Sequence, residues 1–559
     1  QNSEINRDSK NTLPTGVNPA LSPNSDATGE IMRYIVTGNN VSITTLKSIQ
    51  DWEVYKRLRQ VQGVADVSAF GGEIKQYQVI PSPALLQHYG ISLQNLLDAI
   101  NNANNNVGGG LMPSGEQQFV VRGQGLLQTE DDIRNTVITA TNGVPVRIGD
   151  VAKVKIGHVE RLGMVKFNEM KDVVEGIVLM RRGENASEVL AKVRERINEI
   201  NASGILSDGA EIQPFYDRQN LLNMTTNTVK HTLFLGMTLV LVVLYTFLGN
   251  FRAAFIVAAV IPLALCFSFL MMYLFKVPAN LISLGAIDFG VVVDSAVIVM
   301  ENIMSQLETS NTTVRKTVIA ATSAVMRAMI FSTMIIIVAY SPLFLIGGVE
   351  GIIFKPMAFT MGFALFSAIV LSLTFVPAVS SYVFKDDGDK PHHPAIVERL
   401  LQFYKPKLLW VMANKPKVLA TTGGLFIAGI LTFASIGTEF LPTLQENNLW
   451  LRLTLPNTVD FLLAQPEVEN VSVQIGRPDD GTDSTGVFNT EYGVYFKNRD
   501  EWPADSSQDD VVNRIYAYKS KIPGAELNIS QYIKDNVDEA LSGVKGENSV
   551  KLFGPDLYV

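Results

Sequence analysis

The sequence predicts a polytopic α-helical membrane protein that also carries α/β soluble portions, and three observations predict it. Long apolar runs occupy residues 231–436, and short strand and helix patterns alternate on either side of them. The composition falls between the two classes, with 47% hydrophobic and 18% charged residues and a mean hydropathy of +0.18 over 559 residues. That is too apolar for a soluble protein and too charged for a purely membranous one. The formal net charge of -8 offers no basic footprint for nucleic acid. A single cysteine, Cys266, leaves neither a disulfide framework nor a thiolate metal site. No nucleophile elbow, phosphate loop or ligand cluster of metal-binding spacing is present, so the chain does not read as an enzyme.

Residues 1 to about 225 hold no spanning segment. The opening QNSEINRDSK is polar, with no early apolar run, so the expectation is either that something upstream directs the following region across the membrane or that the sequence is incomplete. Ile31–Ser42 reads as a strand, Leu46–Gln60 as a helix with Leu46, Ile49, Val54 and Leu58 on its apolar side, and Val64–Phe70 as an alternating strand before Gly71-Gly72. Leu85–Asn106 is helix-rich and leads to Gly108-Gly109-Gly110. Strands follow around Gln118–Arg122 and Val144–Ile156, then a helix over Ala186–Ile200 and a last strand, Ala210–Tyr216. Such alternation fits open-faced sandwiches with helices on one face.

Six apolar runs follow, at 231–248, 253–275, 281–303, 329–346, 357–384 and 418–436. Each is near the about 20 residues that cross a bilayer. Pro262, Pro342 and Pro377 lie within or near their ends, which membrane helices tolerate. The third run carries Asp288, Asp294 and Glu301. A charged Asp near the bilayer centre costs roughly 2.5 to 3.5 kcal/mol, so three acids point to partners, protons or both. At about 100° per residue Asp294 and Glu301 share a stripe, and Asp288 sits about 120° from Asp294. The two aspartates fall at hydrocarbon depth. Glu301 falls in the last turn, where the helix dipole disfavours an anion. A head-group Glu beside Asn302 is the competing reading there, and a hydrogen bond to a neighbouring helix is the competing reading for the aspartates. Gly285 and Gly290, with Ser295 and Ala296, offer small surfaces for close helix approach.

The loops after the first, third and fifth runs carry Arg252, then Arg315, Lys316 and Arg327, then Lys385, Lys390, Arg399, Lys405, Lys407, Lys415 and Lys417. The opposite loops carry only Lys276 and Lys355. The positive-inside rule makes the first set cytoplasmic and places both soluble portions on the far side, with Glu301 toward the cytoplasm. Ala395–Met412 is apolar on one face, basic on the other and interrupted by Pro406, so it is expected to lie along the cytoplasmic surface. His392 and His393, between Pro391 and Pro394, read as a polar turn rather than a metal pair.

Beyond GTEFLP at 437–442 a second soluble region repeats the first: VADVS at 64–68 and VENVS at 468–472 occupy the same place, each running into a glycine. Between strand Leu449–Leu455 and Val468 only Val459–Gln465 remains for a crossover helix, so residues are expected to be missing between Thr458 and Val459. Duplicated lobes flanking membrane helices point to a transporter built from repeats.

These residues resemble the heavy-metal efflux branch of the resistance-nodulation-division (RND) transporters along nearly the whole chain. The resemblance rests on YDRQNLL (216–222), NFRAAFIVAAVIPLAL (250–265), GAIDFGVVVDSAVIVMEN (285–302), FSTMIII (331–337), GGVEG (347–351), GTEFLP (437–442), GRPDDGTD (476–483) and GVKGENSVKLFGPDL (543–557). It implies an RND fold with ferredoxin-like periplasmic porter and docking subdomains. Residues 1–27 would end a first porter subdomain, 28–72 with 162–225 form a second, and 73–161 form an inserted docking subdomain. Five membrane helices would fill 226–385, a cytoplasmic linker with the surface helix 386–416, a sixth membrane helix 417–437 and the start of a second porter region 438–559. A first membrane helix is then expected before Gln1 and five more after Val559.

The same resemblance implies proton-driven export of divalent cations of the zinc, cobalt and cadmium type, with Asp288, Asp294 and Glu301 as the proton relay and no resident cofactor. The partners it implies are two further copies in a homotrimer, a periplasmic adaptor and an outer-membrane channel in a Gram-negative inner membrane. For the metal, Asp479, Asp480, Asp483 and Glu491 are candidates, against a polar surface loop. The copper exporters place a soft methionine on the strand matching LWLRLTLP (449–456); none stands here, which argues against Cu(I). A drug exporter with an aromatic-lined cleft, a protein-export accessory and a non-transporting scaffold or sensor with structural acids are the rival readings.

Overall fold

The computed structural model describes residues 23–25, 29–115, 117–141, 143–206, 209–277, 289–309, 312–384, 395–433, 435, 446–453, 458–479, 486–522 and 527–542. They divide into two compact units, Gln1–Leu221 with Leu444–Val559, and Leu222–Thr443.

The first lobe begins with β1 (Glu30–Gly38). The strand stops at Gly38 rather than running to Ser42, because Asn40 turns the chain with φ 62° and Ser42 is taken as a helix cap, its hydroxyl accepting from the Thr45 amide at 3.1 Å. Helix α1 (Ile43–Ile49) passes through one π turn at Gln50–Val54 into α2 (Tyr55–Arg59), and β2 (Val64–Phe70) follows.

An inserted module then runs through β3 (Lys75–Pro81), α3 (Pro83–Tyr89), α4 (Leu93–Ala103), β4 (Val107–Ser114), β5 (Gln117–Gly123), α5 (Glu130–Asn135), β6 (Val137–Thr141), β7 (Val144–Arg147), α6 (Ile148–Val151) and β8 (Ala152–His158). The expected strand over 144–156 is two strands. Asp150 accepts from the Arg147 amide at 2.7 Å and starts the single helical turn between them. The module is closed by β3 pairing antiparallel with β8, and its core is Ile91, Leu96, Ile133, Val146, Ile148, Val151 and Val154.

The lobe is completed by β9 (Gly163–Phe167), β10 (Met170–Met180), α7 (Ala186–Ala202) and β11 (Ala210–Asp217). Val189, Leu190, Val193, Ile197 and Ile200 form the buried face of α7 at helical spacing.

The second unit holds α8 (Arg218–Leu248), α9 (Phe251–Leu274), α10 (Phe289–Thr309), α11 (Val314–Ala339), α12 (Pro342–Leu345), α13 (Gly348–Val383), α14 (Ala395–Ala413) and α15 (Lys415–Phe433). Six stretches of the described residues are long and apolar enough to cross a membrane: Arg218–Leu248, Phe251–Leu274, Gly290–Thr309, Val314–Leu345, Phe354–Val383 and Lys415–Phe433. Helices α9, α10, α11 and α13 share a core that includes Val257, Ile261, Val299, Ile303, Val318 and Val376. Helix α13 continues through Pro356 and Pro377, α9 through Pro262, and α14 through Pro406 rather than being interrupted there.

The largest boundary differences from expectation are at α8, which starts at Arg218 and not near 231, and at α11 and α10. Helix α11 starts at Val314, not near 329, so Arg315, Lys316 and Arg327 are helical and not loop charges. Val314, Thr317, Val318 and Ala321 supply a buried stripe that hydropathy alone passes over. Helix α10 continues to Thr309, so Glu301 is two turns from its end and not in the last turn. The extension is held by buried Ile303 and Met304 and by Asn302, whose amide donates to the Ala321 carbonyl of α11 at 2.6 Å.

The second lobe comprises β12 (Asn448–Leu453), α16 (Val459–Leu463), β13 (Val468–Gly476), β14 (Thr490–Phe496), α17 (Gln508–Lys519), β15 (Leu527–Ser530) and α18 (Tyr532–Ser542). Its crossover helix α16 has five residues, where the first lobe has the whole stretch from Ile43 to Arg59. The strand orders are β11-β1-β10-β2 and β15-β12-β14-β13, the same arrangement twice. Strand β9 pairs with β10 on one edge and with β13 on the other, which joins both lobes into one nine-stranded sheet.

Candidate functional site

Helix α10 has two unlike sides. Val292, Val293, Ser295, Ala296, Val299, Met300, Ile303 and Met304 are buried. Val292 meets Ala264 of α9 and Ala364 and Ala368 of α13, where small side chains allow close approach. Thr333 of α11 donates to the Met329 carbonyl at 3.1 Å, so the Ser295 hydroxyl donates to the Thr333 oxygen at 3.0 Å. On the other side Gly290, Asp294, Glu301 and Ser305 are exposed, at steps of four, seven and four residues. Asp294 and Glu301 therefore open in one direction, away from the packed helices of this unit, about 10 Å apart along the axis. Asp288 and Gly285 lie outside the described residues. Two carboxylates on one stripe of an apolar helix can each hold a proton or attract a cation.

In the second lobe the sheet register decides what the acids touch. Arg452 of β12 stands opposite Glu491 of β14, and its Nε donates to Glu491 Oε1 at 2.8 Å. The other edge of the guanidinium donates to Asp535 of α18, with Nη1 to Oδ1 at 2.8 Å. Burial lowers the Arg452 guanidinium, yet Asp535 and Glu491 hold it well above its ordinary value. Glu491 is thus committed to a cation of the chain. Asp479 is half-buried near Arg161, whose guanidinium forms a two-pronged pair with Asp172 at 2.7 and 2.8 Å. Asp480, Asp483, His392 and His393 lie outside the described residues. Among the described residues no three His, Cys, Asp or Glu side chains come together as a metal site.

One buried cluster escapes a sequence reading. Arg33 of β1 donates through Nη1 to Glu175 of β10 at 3.0 Å and through Nη2 to Glu30 at 3.0 Å. Its guanidinium lies 4.2 Å from the Tyr532 ring centroid and 4.9 Å from that of Trp450. Gln474 of β13 donates to the second Glu175 oxygen at 2.9 Å. Burial pushes the Glu175 carboxyl up, against the lowering effects of Arg33 and Gln474. The available signal was a lone arginine inside the apolar strand IMRYIV and a lone glutamate inside VVEGIV.

A protein-family model described as AcrB/AcrD/AcrF family matches residues 2–559. The chain is 35% identical over 584 residues to the cobalt-zinc-cadmium resistance protein CzcA of Cupriavidus metallidurans, covering 98% of this chain and 54% of that protein. It is 30% identical over 571 residues to the cation efflux system protein CusA of Escherichia coli K12, covering 97% of this chain and 54% of that protein. A crystal structure of a heavy metal efflux pump aligns with a TM-score of 0.84 at 35% identity, over 96% of this chain and 53% of that one. The chain spans about half the length of the curated relatives it matches.

Proposed function

The chain belongs to the AcrB/AcrD/AcrF family of RND proteins, and on that premise we propose that it is part of a proton-driven exporter of divalent heavy-metal cations. The observation that carries the reading is the α10 stripe. A membrane-length helix is packed on one side and presents Asp294 and Glu301 together on the other. Holding a charged carboxylate in hydrocarbon costs roughly 2.5 to 3.5 kcal/mol, a cost that a bound proton removes. Asp294 and Glu301, with Asp288 beside them in sequence, would take protons from one side of the membrane and release them to the other. The two states of the stripe would bias the soluble lobes between taking up and expelling the ion.

Kinship with a protein named for cobalt, zinc and cadmium resistance supports divalent cargo. The absence of methionine from β12 points the same way, since Cu(I) favours thioether sulfur. Glu491 is the weakest of the proposed cargo ligands because Arg452 already occupies it. Asp479, Asp480 and Asp483 remain the better entry points. In this reading 28–72 with 162–225 and 438–559 are porter subdomains and 73–161 a docking subdomain. The assembly would be a homotrimer in a Gram-negative inner membrane, joined to a periplasmic adaptor and an outer-membrane channel.

The test is growth of a metal-sensitive, export-deficient host carrying the full-length protein, across zinc, cobalt, cadmium, nickel and copper, beside Asp294→Asn. Protection against a divalent ion that disappears in an equally expressed Asp294→Asn variant is expected. Protection retained by that variant would refute the coupling role, and protection against copper alone would overturn the cargo class.

A further inference from the structure

Helix α14 is followed, after the single residue Asn414, by α15, a helix apolar enough to enter a bilayer. Asn414 fixes the join: its backbone N–H and its side-chain amide donate to the Trp410 carbonyl at 2.9 and 3.0 Å, and its carbonyl accepts from Val418 at 3.1 Å. With α15 entering a bilayer, as its apolar length allows, the end of α14 would lie where α15 meets the bilayer surface.

The side chains of α14 carry a local asymmetry. Phe403, Trp410, Leu400 and Val411 fall on one side of the helix, and in their midst stands Lys407, its Nζ 4.1 Å from the centre of the Phe403 ring. Phe403 is 63% and Trp410 56% exposed. The only carboxylate of the helix, Glu398, is nine residues away, two and a half turns, and so projects to the opposite side. Lys405, two residues from Lys407, also projects away from it and shares the side of Glu398. Pro406, Lys407, Trp410 and Val411 line an open hollow of about 450 Å³.

We propose that this hollow binds the phosphate headgroup of an anionic phospholipid. Lys407 supplies the cation for the phosphate, at a position where no acid of its own helix competes. Trp410 supplies an amphipathic ring of the kind that settles at headgroup level, and Val411 and Leu400 face the first methylenes of the acyl chains. A free phosphate would have no use for these apolar walls. The site needs α15 to enter the bilayer but does not depend on metal transport, so this inference and the growth assay can fail independently.

The probe is bromine quenching of Trp410 in the full-length protein reconstituted in phosphatidylcholine vesicles. Its emission is obtained as the difference between the intact chain and Trp410→Phe. Quenching by acyl-brominated phosphatidylglycerol should exceed quenching by brominated phosphatidylcholine at equal mole fraction. That preference should fall by about fivefold in Lys407→Gln, the effect of one lysine at an anionic surface, and persist in Lys405→Gln. Equal quenching by the two lipids, equal loss in both lysine variants, or a Trp410 that neither lipid quenches because protein covers it would each overturn the site.

Discussion

Arg33 stands in the middle of a strand whose neighbours on both sides are fully buried, and its charge is met from three directions by Glu175, Glu30 and two aromatic rings. Removing one partner of a buried pair leaves the other uncompensated, which typically costs about 3 to 5 kcal/mol. Arg33→Ala should therefore lower hydrogen-exchange protection throughout β1 and β10. Adding Glu175→Gln should restore much of it, because the amide carries no charge to strand. Equal loss in the single and double variants would show that packing of the arginine, not its charge, is what β1 needs. At this scale the sequence was legible where chemistry is local. Acids in an apolar run announce themselves, and Asp294 and Glu301 could be assigned to one stripe from their seven-residue spacing. The partnership of Arg33 with Glu175 spans 142 residues and that of Glu175 with Gln474 spans 299, so neither leaves a local pattern.

Between residues and molecule, the join of the two lobes depends on a pair of glycines. Gly163 of β9 faces Gly476 of β13 directly in the ladder. Gly476 has φ 86°, and a Cβ there would lie 2.2 Å from the Leu162 carbonyl oxygen; a Cβ on Gly163 would lie 2.5 Å from that of Arg477. Both reasons exclude a side chain, and they explain why the GRPDDGTD segment opens on glycine. Gly476→Ala should speed amide exchange in β9 and β13 together by about tenfold or more, the scale of 1 to 3 kcal/mol for a strained backbone residue. Gly90→Ala has a similar φ of 64° in open space and should leave those strands unchanged. If Gly476→Ala is also silent, the join of the lobes does not depend on the glycine pair. Helix ends were less legible than helix existence. Charged residues on α11 and the polar tail of α10 conceal a continuing buried stripe that only packing against neighbours reveals.

For the whole molecule, the repeat was readable from two five-residue strings, and the structure extends it to two lobes of identical strand order. That they share a sheet was not readable, because β9 is a short extra strand outside the repeat and its outer edge has its partner some three hundred residues away. This separation sets a timetable for biosynthesis. The edge of β9 emerges long before β13, and at 5 to 20 residues per second its partner follows roughly 15 to 60 seconds later. An unpaired strand edge is a template for unwanted pairing throughout that interval. Nascent chains arrested before Val468 should be cleaved by protease within Gly163–Phe167, and chains extended past Phe496 should resist. The outer edge of β9 is therefore covered only after every helix between the lobes has been made.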